Sequence, residues 1–162
     1  MSTITTNHIN NMYKAYSFCT FILTVKYFLA IVRNLSPNRV KEDYKEGKEP
    51  TPNKELTEDQ MRRTRIAGNG IENEPLDLAF FFLALLFTSF NYISNQGDSE
   101  AIALTILICV YTFARTFYWV CYAKGWQPWR SIMFLIGKIC AFSAAVILII
   151  TAFKVDFNSF FK

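Results

Sequence analysis

Histidine is almost missing from this chain, since His8 is the single one among 162 residues. Cysteine is sparse as well, and the few that occur lie far apart within apolar stretches: Cys19, Cys109, Cys121 and Cys140. None of them has the spacing of a metal site. Because zinc and iron sites need clustered His and Cys ligands, we expect no metal centre and no disulfide framework.

Charge is the third scarcity, at 19% of the sequence, and it is concentrated between Arg39 and Arg65. Acidic and basic residues are interleaved in that stretch, which is typical of a solvated loop and argues against a nucleic-acid partner. Apolar residues are abundant instead, at 52%, and aromatic residues reach 17%. This segregation of charge from apolar sequence predicts an integral membrane protein with a single domain, residues 1–162.

Four stretches are long enough to cross a bilayer, which takes about 20 apolar residues. They cover residues 16–33, 61–93, 101–124 and 129–153. The last two connections are short, so the prediction is an all-α, four-transmembrane-helix up-down bundle. Lysine and arginine crowd the connection 34–60 and are absent from the next one. The positive-inside rule therefore predicts that residues 34–60 face the cytosol. As the location we expect an internal membrane such as the endoplasmic reticulum, although the charge pattern itself names no organelle.

Each predicted span contains a charged residue: Lys26, Asp77, Arg115 and Lys138. A charge at mid-membrane costs about 2.5–3.5 kcal/mol even on the lenient insertion scale. These side chains should therefore face other helices or a wet cavity. For Lys26 and Lys138, reaching back to the membrane surface is an equal alternative.

The second helix should begin near Thr57, a capping residue followed by acidic residues, well before its apolar part. Within it, Arg65, Asn69 and Glu72 follow at spacings of four and three, which places them on one helical face. Pro75 follows closely and should bend or fray the helix. This face is either a solvated stalk or part of a binding site at the membrane boundary.

The third helix carries a similar face formed by Arg115, Tyr118 and Tyr122. The fourth helix opens with Pro128, and Arg130 and Ser131 follow directly. A helix start with an Arg and a Ser is suited to an anion. The predicted topology brings all three polar regions to the cytosolic boundary. They would form a pocket for a small anionic ligand beside a lipid-soluble one.

Three motifs carry a resemblance to a known family. Residues 62–73 read RRTRIAGNGIEN, residues 114–118 read ARTFY with Tyr122 after them, and residues 127–130 read QPWR. Together they resemble the MAPEG superfamily, the membrane-associated proteins in eicosanoid and glutathione metabolism. They are most similar to its branch of microsomal glutathione transferases and prostaglandin E synthases. The resemblance implies a homotrimer that binds glutathione between neighbouring subunits.

The resemblance also implies roles for individual residues. The expected catalytic residues are Arg130 and Ser131, which would stabilise the glutathione thiolate. The expected glutathione contacts are Arg39, Arg65, Asn69, Glu72, Arg115, Tyr118 and Tyr122, and Asp43 corresponds to a first-loop acidic residue of the family. Two positions depart from the pattern: Gly68 replaces an Arg of the synthase branch, and Tyr118 replaces a common His.

The function expected from this resemblance is conjugation of glutathione to lipophilic electrophiles, with lipid peroxides as a further substrate class left open. Two alternatives within the superfamily remain: a glutathione-dependent prostaglandin E synthase, and a lipid-binding protein without catalysis. A small channel is a fourth possibility, but the sequence has nothing that resembles a selectivity filter.

Overall fold

The computed structural model describes residues 3–34, 58–93 and 98–154, and all of them except the turn at 125–126 are helical. Four helices follow one another along the chain: α1 (Thr3–Asn34), α2 (Glu58–Ile93), α3 (Asp98–Lys124) and α4 (Gln127–Lys154). The prediction of an all-α chain with four helices is therefore confirmed for these residues. Arg39 and Asp43 lie outside the described residues, as does most of the predicted loop 34–60.

The helices extend beyond the apolar stretches that predicted them. α1 starts at Thr3, thirteen residues before the predicted span at residue 16, and α2 starts at Glu58, next to the predicted cap at Thr57. α2 also continues through Pro75 without interruption. Of the two effects predicted for Pro75, a bend or fraying, the structure excludes fraying, because the turns on both sides of the proline remain helical.

A tight turn joins α3 to α4. Gly125 adopts a positive φ of 73°. Its N–H donates to the Tyr122 carbonyl at 3.2 Å, and the Trp126 N–H donates to the Cys121 carbonyl at 2.9 Å. This pair of bonds is the Schellman motif, in which glycine occupies the left-handed position at no steric cost. The turn fixes the start of α4 beside the end of α3.

Contacts between distant residues show how the helices lie against one another. Tyr13 and Ser89 hydroxyls lie 2.7 Å apart, while Lys26 bonds Glu74, so contacts along α1 and α2 run in opposite sequence order. Lys154, the last residue of α4, donates a hydrogen bond of 2.6 Å to Glu100 near the start of α3. The largest buried cluster joins all four helices, with Leu23, Phe81, Ile108 and Ala144 among its members.

The outer surface of the bundle is strongly apolar. Phe153 is 88% exposed, Phe142 72% and Phe18 66%. Three helices contain stretches long and apolar enough to cross a membrane: Arg65–Asn91, Ser99–Lys124 and Gln127–Lys154. α1 is long enough, at about 48 Å for its 32 residues, but no such stretch is found among those of its residues whose side chains the structure describes. Such exposure of large side chains suits a lipid environment and would be an aggregation hazard in water.

Candidate functional site

Arg115 is the most buried charged side chain among the described residues, with 1% of its surface exposed. It lies in α3 and its guanidinium carbon is 5.3 Å from the ring centroid of Tyr118 and 5.8 Å from that of Phe134. Both distances fall within the range of cation–π attraction. Gly137 of α4 allows this packing, since a Cβ there would come within 3.2 Å of the Arg115 Cδ.

Aromatic rings continue from Arg115 toward the end of α3. Tyr118 and Tyr122 are both buried, and their rings meet edge-to-face with centroids 5.8 Å apart. The two tyrosines are four residues apart, so they occupy successive turns on one helical face.

Arg130 lies at the other end of this row. Its guanidinium carbon is 4.8 Å from the Tyr122 ring centroid. The Schellman turn produces this proximity by bringing the first turn of α4 next to Tyr122. The backbone N–H of Arg130 donates to the Trp126 carbonyl at 3.1 Å. An anion at this turn can therefore bind the Arg130 guanidinium group but not its backbone N–H. Ser131 follows on the exposed surface.

The structure thus brings together four predicted site residues as a continuous row, which we call the cation–aromatic row: Arg115, Tyr118, Tyr122 and Arg130. A cation stands at each end, and the two phenol rings separate them. Each cation–π contact contributes about 0.5–2 kcal/mol, depending on desolvation. The row holds Arg130 in place beside Ser131 while leaving its charge available to a ligand.

The polar face of α2, formed by Arg65, Asn69 and Glu72, lies at the level of the cation–aromatic row but is not part of it. Ile66 packs against Tyr118 and Tyr122 in a second buried cluster, which fixes the height of α2 beside the row. Arg65 and Glu72 are exposed, and Asn69 is half-buried, accepting hydrogen bonds from Asn73 at 3.0 and 3.2 Å. Within one chain, this face does not meet Arg115 or Arg130.

Two charged residues beside Arg115 were not predicted as site residues. Glu74 accepts hydrogen bonds from Lys26 and from the Arg115 Nε, the latter at 3.2 Å. We call these three side chains the Lys26–Glu74–Arg115 triad. The spacing of Ile66, Gly70, Glu74 and Asp77 already places Glu74 on the inner face of α2. That spacing could have identified it.

A second polar centre lies one turn further along α2. Asp77 accepts two hydrogen bonds from Lys138, each of 2.9 Å, and one from the Tyr111 hydroxyl at 3.1 Å. Lys26 and Lys138 therefore each pair with a carboxylate of α2. Of the two alternatives that the sequence left open for these lysines, the structure therefore favours contacts with other helices over reaching back to the membrane surface.

A small cavity opens between α1, α2 and α3. Its lining includes the triad together with Tyr27, Tyr118 and Trp119. The cavity measures about 10 Å³, which is room for roughly one water molecule. A tripeptide cannot enter it in this arrangement of the helices.

The cysteines and acidic residues form no metal site in the described segments, since no three His, Cys, Asp or Glu side chains come close enough together. All four cysteines are free thiols, and three of them are buried.

Comparison with known proteins gives one finding. A search of curated proteins found no match, and neither did a search of solved structures. A scan against protein families matched residues 13–150 to the MAPEG family. The match reaches all four helices and includes every motif that carried the resemblance. Its residues include the whole cation–aromatic row, and the chain therefore belongs to the MAPEG family.

Proposed function

We propose that this protein conjugates glutathione to lipophilic electrophiles that reach it from the bilayer. The observation that carries the proposal is the Arg130 guanidinium, held 4.8 Å over the Tyr122 ring and followed by the exposed Ser131. A thiol has a pKa of about 8.5 in water and is mostly protonated at neutral pH. A neighbouring cation lowers that pKa and so favours the thiolate, which is the nucleophile.

The reaction needs few groups beyond this one. Arg130 stabilises the thiolate and Ser131 donates a hydrogen bond to it. The thiolate attacks an electrophilic carbon, forming a carbon–sulfur bond as the leaving group departs with its electron pair. No side chain of the protein forms a covalent bond with either substrate. With a lipid hydroperoxide, the same thiolate attacks the terminal peroxide oxygen, the O–O bond breaks, and the lipid leaves as its alcohol after taking up a proton. A second glutathione then reduces the sulfenic acid, giving glutathione disulfide and water.

The remaining groups of glutathione require charges of both signs. Glutathione carries two carboxylates and one ammonium group. Glu72 suits the ammonium, and the arginines suit the carboxylates because their planar fork binds them through two hydrogen bonds. In this proposal Arg65 and Arg39 bind carboxylates, and Asn69 supplies an amide. Tyr118, Tyr122 and Arg115 form the wall behind the thiol.

We further propose that the site is completed by a neighbouring subunit of a homotrimer. Arg65 and Glu72 are exposed on the outer face of α2. The cation–aromatic row, in contrast, consists of residues of α3 and α4 and packs against Ile66 of α2. The cavity within one chain holds roughly one water molecule. A glutathione molecule that contacts both sets of residues therefore fits better between two chains than inside one.

The same proposal includes the membrane arrangement. The four helices form an up-down bundle with α1 as the fourth span, and the pairing of Lys26 with Glu74 offsets much of the cost of that lysine in the membrane. The positive-inside rule places the connection 34–60, the start of α4 and hence the site on the cytosolic side of the endoplasmic reticulum or another internal membrane.

The decisive experiment replaces Arg130 with leucine. We expect conjugation of glutathione to 1-chloro-2,4-dinitrobenzene to fall by roughly a hundredfold or more, as when an oxyanion donor is removed from an enzyme. The measurement is turnover by purified protein in detergent, with oligomer size and helix content recorded alongside.

The matched control is Lys124→Leu. Lys124 also lies at the α3–α4 boundary and over an aromatic ring, 4.8 Å from the centroid of Trp126. Loss of its charge should leave turnover nearly unchanged. Normal turnover in Arg130→Leu would overturn the assignment. Activity on prostaglandin H2 alone would indicate the isomerase, and absence of glutathione binding would indicate a lipid-binding protein.

A further inference from the structure

The Lys26–Glu74–Arg115 triad contains two cations and one carboxylate. Lys26 and Arg115 both contact the same Glu74 oxygen, Oε1. The side chains of Lys26 and Glu74 are each 9% exposed, and that of Arg115 is 1% exposed. One positive charge of this buried triad is therefore not compensated within it.

No other described side chain supplies the missing negative charge. Glu72 is exposed on the other face of α2. Asp77 is the next carboxylate on the inner face, and Lys138 already holds both of its oxygens at 2.9 Å. A buried, uncompensated charge costs several kcal/mol even after relaxation. In a membrane-spanning bundle, an anion at the triad would remove that cost.

Arg115 also has hydrogen-bond donors that no described residue accepts from. Its Nε makes the hydrogen bond to Glu74, and Nη2 lies 3.2 Å from the same oxygen. Neither Nη1 nor Nη2 has a hydrogen-bond partner among the described residues, although both are buried. Buried guanidinium nitrogens normally donate to an acceptor, because leaving one unpaired costs more than an ordinary hydrogen bond contributes.

The cavity between α1, α2 and α3 lies next to these donors. Lys26, Glu74 and Arg115 line it, and its volume of about 10 Å³ matches one water-sized particle. The excess charge, the unpaired donors and the cavity therefore coincide at one place. The cavity is too small for a peptide carboxylate with the chain attached to it.

We propose that this cavity binds one small monovalent anion of about the size of chloride. The anion compensates the second cation of the triad and accepts hydrogen bonds from Arg115. Its binding does not require glutathione, so the proposal stands or falls independently of the proposed transferase activity.

The test is thermal unfolding of the full-length protein in detergent without glutathione. Sodium chloride is titrated against sodium gluconate at constant ionic strength, because gluconate is too large for the cavity. We expect the midpoint to rise by several degrees with chloride and to keep rising with the logarithm of its concentration, as it does for a ligand that binds only the native state.

Two variants should change the chloride dependence of the unfolding midpoint in opposite directions. Lys26→Met leaves Glu74 and Arg115 as a one-to-one pair, so the variant should fold and its midpoint should no longer depend on chloride. Glu74→Gln leaves two cations without a carboxylate, so its chloride dependence should steepen. Lys154→Met is the control, because Lys154 is an exposed lysine paired with Glu100, and it should respond as the unmodified protein does.

A midpoint that is the same in chloride and gluconate would overturn the proposal. So would a chloride response that Lys26→Met retains in full. A direct check, independent of any variant, is anomalous scattering from crystals grown in bromide. A peak in contact with the Arg115 guanidinium is expected, and a cavity without one would contradict the site.

Discussion

Gly137 controls how closely α4 approaches Arg115. A Cβ at this position would lie 3.2 Å from the Arg115 Cδ and 3.7 Å from its Cγ. The first distance is tighter than an ordinary contact, and Arg115 cannot move freely because Glu74 and two rings hold its guanidinium group. A single methyl group here should therefore disturb the triad and the cation–aromatic row together.

We predict that Gly137→Ala destabilises the protein by about 1–3 kcal/mol, the usual cost of overpacking a well-packed interior. Gly68→Ala is the control, since its Cβ would meet nothing within 4 Å. That substitution should instead stabilise α2 by about 0.5–1 kcal/mol through helix propensity. Unfolding midpoints in one detergent measure both effects, and equal shifts in the two variants would contradict the prediction.

Some residue-level features could be read from the sequence and others could not. The shared faces of Arg115, Tyr118 and Tyr122, and of Arg65, Asn69 and Glu72, follow from helical spacing alone. The partner of each charge does not, because Lys26 and Glu74 are 48 residues apart and Glu74 and Arg115 are 41 apart. Local periodicity gives no information about which of several distant carboxylates a cation will contact.

At the scale of the helix, α2 has two polar faces. Its inner face presents Glu74 and Asp77 to the other helices, and its outer face presents Arg65, Asn69 and Glu72. Sequence spacing identified the outer set, but spacing does not reveal which way a face points. The direction depends on how α2 packs, and Ile66 sets it by contacting Tyr118 and Tyr122.

Gly68 belongs to the outer face of α2 and offers a way to test its role. It lies between Arg65 and Glu72, and nothing comes within 4 Å of a Cβ placed there. An arginine can therefore be added without a clash at Cβ. In the synthase branch that this sequence resembles, an arginine occupies the corresponding position.

We predict that Gly68→Arg tightens glutathione binding by roughly threefold to tenfold, the usual effect of one additional partly exposed hydrogen bond to a charged group. The measurement is equilibrium binding of glutathione in detergent. Gly68→Ala serves as the control, because it changes helix propensity and adds no cation. Unaltered affinity in Gly68→Arg would mean that glutathione does not lie along this face.

For the whole molecule, composition and apolar length predicted four helices, and the described residues contain four. The helices begin ahead of the apolar stretches, because an apolar stretch marks only the lipid-facing part of a helix. α1 begins far ahead of its apolar part, and α2 continues through the exposed Pro75. The family followed from three motifs, since their order and spacing carry more information than any single helix.

In the proposed homotrimer, one glutathione contacts residues on two different surfaces, which makes the neighbouring subunit part of the proposed reaction. If glutathione bridges the outer α2 face of one chain and the cation–aromatic row of the next, two chains with different substitutions can complement each other in a mixed oligomer. Arg130→Leu retains an intact α2 face, and Glu72→Ala retains an intact row. In a mixed oligomer, some interfaces would combine the two intact halves.

We predict that each variant alone has little transferase activity and that coexpression of the two restores part of it. In a mixed trimer of either composition, about one interface in three is intact, because a cyclic oligomer repeats the same contact between neighbours. The measurement is turnover of mixed oligomers isolated through two different affinity tags. Coexpressing Arg130→Leu with Tyr122→Leu is the control, because these residues contact each other within one chain and cannot complement across an interface. Mixed oligomers of Arg130→Leu and Glu72→Ala without recovered activity would place both halves of the glutathione site in one chain.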